Sequence, residues 1–339
     1  MSTFDGNNHY YSGQGVVMIG GRDASGKPTG LEPVGNVTDL KLSVATTSLE
    51  HKESESGQRG IDLRLTTETK VTLSATLENF VAKNLAIALR GDLTAKAGAA
   101  VTAEPAKVYF GKIVPLKFVS VSGLVVKRGA NTLVEYTDDL TPYDYKANLA
   151  AGSVLFNDGS VTALDSGAAT GGVVPSAVTV GADTTITVAN TAVAGDKVIL
   201  SGFAGADAAL LNDKAHIIVS ATPTGIVVET DTLGKTITIG TPLAVFDGAA
   251  ITFDYTYAGQ NIVNALTSGT KERYLRFEGL NTADDLSPVV VEVFKFVVDP
   301  TKDLSLIGDG IAQFVLEGNV LADNLQSAGS KYFKQTQLR

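Results

Sequence analysis

Few residues of this chain could do chemistry, and their spacing argues against a reaction. Gly21-Arg22-Asp23-Ala24-Ser25-Gly26-Lys27-Pro28 nearly spells a phosphate-binding loop. Such a loop needs Ser or Thr directly after the lysine, to reach magnesium, and a helix starting there. Pro28 supplies neither, so a turn is expected. The histidines His9, His51 and His216 are far apart and lack ligand-type neighbours at metal spacing, so each is expected at the surface. Asp138-Asp139 and Asp284-Asp285 could serve as catalytic carboxylates or calcium ligands. Both pairs lie in polar text near Pro, without a repeating Asp-x-Asp spacing or a nearby base, so ordinary turns are expected. There is no nucleophile–base arrangement. The expectation is no enzyme, no cofactor and no metal site.

The remaining chemistry is charge. Glu50, Lys52, Glu53, Glu55, Arg59, Asp62 and Arg64 are seven charged residues among the fifteen from Glu50 to Arg64. Leu49–Lys70 is therefore expected as a solvated loop between two strands, Val37–Val44 and Val71–Leu77, that can pair with each other. A loop of that length without structure of its own is uncommon within a domain and usually functional. A charged arm on a rigid hairpin suits binding to another protein; a solvated loop without a partner is the plainer alternative.

The elements that must carry this arm are mostly strands. Val, Thr, Ala and Gly dominate, with 35 Gly and no Trp, which suits short strands joined by Gly-containing turns. The class expected is all-β, a β-sandwich or barrel-forming fold with one short helix. That helix is placed at Glu78–Leu89, where Phe80, Val81, Leu85, Ala88 and Leu89 recur at helical spacing and Gly91 follows as C-cap. Residues before Gly35 read as an extended arm with one apolar piece, Val16–Ile19. Val289–Val298 is apolar on both faces except at Glu292 and Lys295, so it is expected as a buried central strand, and Ala322–Arg339 as a polar tail.

Composition shifts within the chain. From Ser160 to Val245 Phe203 is the single aromatic residue, and the stretch opens on the Gly/Ala-rich Ser166–Val174. Phe156-Asn157-Asp158-Gly159 before it matches Phe246-Asp247-Gly248 after it, and removing what lies between leaves Ser153–Phe156, a turn and Ile251–Tyr257. Residues 159–246 are therefore expected as a small, outward-facing Ig-like or barrel-like β-domain, inserted at a hairpin tip into a core domain of residues 1–158 and 247–339.

At 339 residues the chain can hold two cores, and 44% hydrophobic with 19% charged residues makes it globular. A net charge of −9 argues against a protein that grips nucleic acid, because affinity there comes from Lys and Arg on phosphates; it does not exclude a surface past which DNA slides. With no cysteine, disulfides and thiolate metal sites are absent. The first fifteen residues lack the apolar run of a signal peptide, and no stretch approaches the roughly 18 apolar residues of a membrane span, so no membrane partner is expected.

In order, five blocks resemble the major tail tube protein of long-tailed, siphovirus-type bacteriophages. They are Gly35-Asn36-Val37 opening the hairpin, His51–Leu65 (HKESESGQRGIDLRL) as the arm, and Leu77–Leu89 (LENFVAKNLAIAL) as the helix. Tyr257–Asn281 and Asp299–Asp323 follow. The resemblance covers most of residues 30–150 and 246–333 and leaves out the insertion. It implies a virion structural protein assembled in the host cytoplasm, a subunit of stacked hexameric rings whose sheets join into one inner barrel for genome ejection. Implied partners are further copies of itself, the tape measure, tail terminator and distal tail proteins, and genomic DNA passing without specific binding. The charged arm becomes an inter-ring contact. The inner wall would come from hairpins Val37–Leu77 and Val289–Leu321, which offer Thr72, Ser74, Thr76, Gln313, Glu317 and Asn319 to the lumen. The alternative is a secreted or surface-displayed β-module that binds glycans or a host receptor, against which the missing signal peptide and the aromatic-poor insertion both count.

Overall fold

Alternating apolar and polar side chains recur along most of the chain, and strands form wherever they do. The computed structural model describes residues 10–55, 57–137, 144–157, 173–283 and 286–337. β1 (Gly13–Arg22) and β2 (Pro28–Pro33) make an N-terminal hairpin in place of the expected extended arm. Its turn is the imitation phosphate loop: the Asp23 carboxylate accepts from the Ser25 and Lys27 amides at 2.9 Å, an Asx-type turn. β3 (Val37–Lys52) and β4 (Ile61–Leu77) pair along their whole length, from Val37↔Leu77 to Lys52↔Ile61. The expected long loop is thus mostly ladder, and only residues 53–60 connect the strands.

The helix is shorter than expected. α1 spans Ala82–Ala88, because Glu78 still donates its amide to the Asn36 carbonyl as the strand ends, and Val81 is extended at φ −69°, ψ 146°. Its left-handed residue is Arg90 (φ 47°), not Gly91. Gly91 is required for a different reason: a Cβ there would sit 2.3 Å from the Asn264 carbonyl oxygen.

After β5 (Asp92–Lys96) come β6 (Ala99–Lys107), β7 (Ile113–Pro115), β8 (Val121–Arg128), β9 (Asn131–Thr132), β10 (Tyr145–Asn148) and β11 (Ser153–Phe156). The expected insertion holds β12 (Ala177–Thr179), β13 (Thr184–Thr187), β14 (Lys197–Ser201), β15 (Lys214–Thr222), β16 (Gly225–Val228) and β17 (Leu243–Phe246). β18 (Ala250–Tyr257), β19 (Gln260–Asn264), β20 (Glu272–Asn281), β21 (Ser287–Val298), β22 (Phe314–Val320) and β23 (Phe333–Gln337) complete the chain. The tail expected to be merely polar contains the last of these strands. The protein is all-β with one α-helix among the described residues.

Two compact units result, Met1–Ala95 with Asn261–Arg339, and Lys96–Gln260. In the first, strands lie in the order β2-β1-β20-β21-β22-β4-β3, with β23 added beside β21. β21 is central as expected, pairing β20 on one side and both β22 and β23 on the other. Val17 and Ile19 of β1 share one core with Leu73 and Leu77 of β4 and Phe296 of β21, so the sheet curls until its two ends face one another. Ile87 and Ala88 of the helix close part of that core, and Phe80 meets Phe314 edge-on at 5.1 Å.

The second unit corrects the expected domain boundaries. β11 pairs β10 and β7, while β18 pairs β6 and β8, so Ser153–Phe156 and Ile251–Tyr257 do not form a hairpin. β12–β17 do make their own sheet. However, Ile199, Leu243 and Val245 pack into the same core as Val108, Phe110 and Phe253, while Val198, Leu200 and Ala244 pack into a second core on the other face. β14 and β17 are buried on both sides, which is why Val198–Leu200 and Leu243–Phe246 are unbroken apolar runs. The units therefore divide at 95/96 and 260/261, not at the edges of residues 159–246, and residues 96–158 leave the expected core domain.

Candidate functional site

The first candidate surface is the outer half of the β3–β4 hairpin. β4 is held in the sheet by β22 only from Val71↔Val320 to Leu77↔Phe314. Beyond Val71 burial stops, and every residue from 61 to 70 is exposed. Ten residues at about 3.3 Å each make this half roughly 30 Å long. It stays a ladder because Thr46, Thr47, Thr66, Thr67 and Thr69 favour extended backbone even without burial. Register shifts at Thr47/Ser48 and His51/Lys52 mark bulges, which turn its faces relative to the sheet below.

The expected arm residues all lie here. Glu50 and Lys52 stand on β3, Asp62 and Arg64 on β4, and Glu53, Glu55 and Arg59 in the connecting turn. The turn closes by the Glu53 amide donating to the Gly60 carbonyl at 2.9 Å, with Arg59 left-handed at φ 51°. Much of the charge is already used inside the ribbon. Arg64 Nε donates to Ser48 Oγ at 3.0 Å and lies 3.8 Å from Glu50, and His51 meets Asp62 at 2.6 Å. The register also reveals an apolar face: Leu49 lies opposite Leu65, and His51 opposite Leu63. These leucines are 61%, 51% and 50% exposed for Leu49, Leu65 and Leu63. The signal was present in the alternation Ile61-x-Leu63-x-Leu65, masked by the charges between.

The second surface is the sheet face turned away from the core. Register places Thr76 beside Val315, Ser74 beside Glu317 and Thr72 beside Asn319, with Asp39, Lys41 and Ser43 of β3 continuing the rows. Five of the six expected lumen residues thus share one solvent-facing side; Gln313 precedes β22 and donates to Glu78 at 2.8 Å. Cations on this side are paired, Lys41 with Asp39 at 2.5 Å and Lys302 with Glu317 at 3.5 Å.

Two ion-pair clusters tie the termini to this unit, and sequence reading missed both. Arg22, its side chain 6% exposed, lies 3.1 Å from Glu272 and 2.8 Å from Asp323, which is 3% exposed. Glu292 accepts from Tyr274 and Arg276 at 3.0 Å and pairs with Lys334 of β23 at 2.9 Å. Burial alone would raise the Glu292 pKa, but the bonds from Lys334 and Tyr274 outweigh it and lower it.

Between the two ends of the curled sheet lies a groove of about 710 Å³, with apolar Leu40, Leu42, Phe277 and Val291 beside a polar rim that includes Gln14, Asn36, Thr38 and Asp39. Leu40, Leu42 and Phe277 are only half-buried, so this is the open side of the first core.

His216 is buried rather than superficial: Nε2–H donates to the Leu211 carbonyl at 2.8 Å and Nδ1 meets Thr230 Oγ1 at 2.5 Å. Burial lowers its pKa, against the opposing pull of the Leu211 bond. His9 and both aspartate pairs, Asp138-Asp139 and Asp284-Asp285, lie outside the described residues. Among the described residues no three His, Cys, Asp or Glu side chains gather as a metal site would need, and no helix is long and apolar enough to cross a membrane.

A family model described as "Protein of unknown function UCP028589" matches residues 10–159 and 145–336. No curated protein matches the chain.

Proposed function

The chain belongs to that family of unknown function, and we propose from its residues and geometry that it is a self-assembling structural subunit of the tail-tube type. In this reading copies join into rings, rings stack into a tube, and the sheet face bearing Thr72, Ser74, Glu317 and Asn319 lines a conduit for DNA. The observation that carries the reading is the ribbon. Residues 45–52 and 61–70 keep a paired ladder with almost no packing in their own chain. A lone two-stranded hairpin is marginal in water. One held in register by bulges and cross-strand pairs is suited to lie on another molecule, and 20–30 residues is about what one partner gives to a standard interface. The ion pairs on this sheet face add support, since Lys41 and Lys302, already matched to Asp39 and Glu317, are poorly placed to hold phosphates back. Electron microscopy of the purified protein tests the reading: rings or tubes agree with it, and dispersed monomers at high concentration defeat it.

A further inference from the structure

The ribbon exposes an apolar face and the groove leaves apolar side chains half-covered, and a single chain cannot bring the two together. Both lie in the unit formed by residues 1–95 and 261–339. Leu40 in the groove and Leu49 on the ribbon are nine residues apart on β3, about 30 Å along a continuous paired strand. The ribbon therefore cannot fold back into its own groove without breaking its ladder. Yet Leu49, Leu63 and Leu65 are each at least 50% exposed on one ribbon face, and the groove floor leaves Leu40, Leu42 and Phe277 half-covered. A cavity of about 150 Å³ already takes a benzene-sized group, so the groove's 710 Å³ has room for three leucine side chains.

We propose that the apolar face of the ribbon, Leu49, Leu63 and Leu65, seats in the groove floored by Leu40, Leu42 and Phe277 of a second copy of this chain. The inference rests on the self-assembly reading and gives its contact a chemistry. Different patches meet, so the contact is head-to-tail and propagates instead of closing as a two-fold dimer. Apolar burial supplies the affinity. Ribbon charges such as the Arg64–Glu50 pair keep the exposed free subunit soluble. This departs from the expectation that the charges of the arm make the inter-ring contact. An apolar contact holds or tightens as salt rises, whereas an exposed ionic one weakens.

The full chain has no cysteine, so engineered pairs report cleanly. Leu65→Cys combined with Leu40→Cys, and independently Leu63→Cys with Val291→Cys, is oxidised under assembling conditions. The expected result is a non-reducing ladder of dimers, trimers and longer species. Leu49→Ser with Leu65→Ser should raise the concentration needed for assembly about tenfold or more while leaving circular dichroism unchanged. Raising salt from ~0.05 to ~0.5 M should not raise that concentration for the natural chain. Assembly of the natural chain with no ladder from either pair, or with loss of assembly at high salt, overturns this contact but leaves the tube reading standing. A natural chain that stays monomeric in sedimentation overturns both.

Discussion

Replacing Asp323 with Ala should destabilise the first unit selectively. Asp323 is 2% exposed and lies 2.8 Å from Arg22 Nη2, while its carboxylate also accepts from the Leu325 amide at 3.2 Å and the Gln326 side chain at 2.9 Å. Truncation leaves the Arg22 guanidinium in a mostly dry site with only Glu272, whose side chain is 48% exposed, to balance it. Breaking a buried pair in this way costs about 3–5 kcal/mol. Asp323 loses more than one bond, but Glu272 remains, so about 3 kcal/mol is expected. With a urea slope of about 1–3 kcal/mol per M, the midpoint should fall by roughly 1–3 M. Only the transition of residues 1–95 with 261–339 should move; that of residues 96–260 should stay in place. Removing both charges together, Arg22→Met with Asp323→Leu, should recover much of the loss, because no buried charge is then left alone. The reasoning fails if Asp323→Ala costs under about 0.5 kcal/mol, the range of an ordinary surface change, or if the double variant is no better than the single. The pH sign agrees with this account. Burial opposes ionisation, but bonds from Gln326, Leu325 and Arg22 prevail and lower the Asp323 pKa, so its stabilisation is full above about pH 4 and fades as pH falls below that.

Other outcomes follow from the same geometry. Replacing residues 47–68 with Asn-Gly joins Thr46 to its partner Thr69 in a two-residue turn, and should give a folded subunit, by circular dichroism, that forms no tubes in micrographs. His216 is held neutral, with its pKa lowered by burial, so the second unit should lose stability as pH falls below about 6.5, by at most ~1.4 kcal/mol per pH unit; His216→Leu should remove that slope from urea titrations. Excising residues 160–245 should destabilise the second unit, because Ile199, Leu243 and Val245 fill its core, whereas excising Lys96–Gln260 entire should leave the first unit with its native urea midpoint. Glu317→Lys should leave the fold intact and make assembled tubes retain DNA at ~0.05 M salt but not at ~0.5 M, measured by co-sedimentation.

Much of this fold could be read in the chain where one face of a strand is buried and the other wet. Val71–Leu77 and Ile251–Tyr257 alternate cleanly, and both are strands with the expected faces. Reading failed where burial does not write the pattern. The outer half of β3–β4 is exposed on both sides, so its strand character rests on threonine propensity and long-range register, and charges concealed the apolar face. β14 and β17 are buried on both sides, and their apolar runs say nothing about which two cores they join. The matching edges at Phe156 and Phe246 suggested a severed hairpin, yet Ser153–Phe156 pairs β10 and β7 while Ile251–Tyr257 pairs β6 and β8, more than 100 residues upstream, which local text does not encode. The Arg22–Asp323 pair joins residues roughly 300 apart, and the Glu292–Lys334 pair lays the tail on β21; both partnerships are set by topology, which local text does not encode.

The central claim is that this chain assembles with itself through its projecting ribbon into a hollow tube. Negative-stain imaging of the purified, full-length protein beside its ribbon-shortened variant, over rising concentration, tests this most directly. Tubes or stacked rings with a central channel from the natural chain, and none from the variant, are predicted. Natural chain that remains dispersed as single particles at every concentration, or tubes that form equally well without the ribbon, would contradict it.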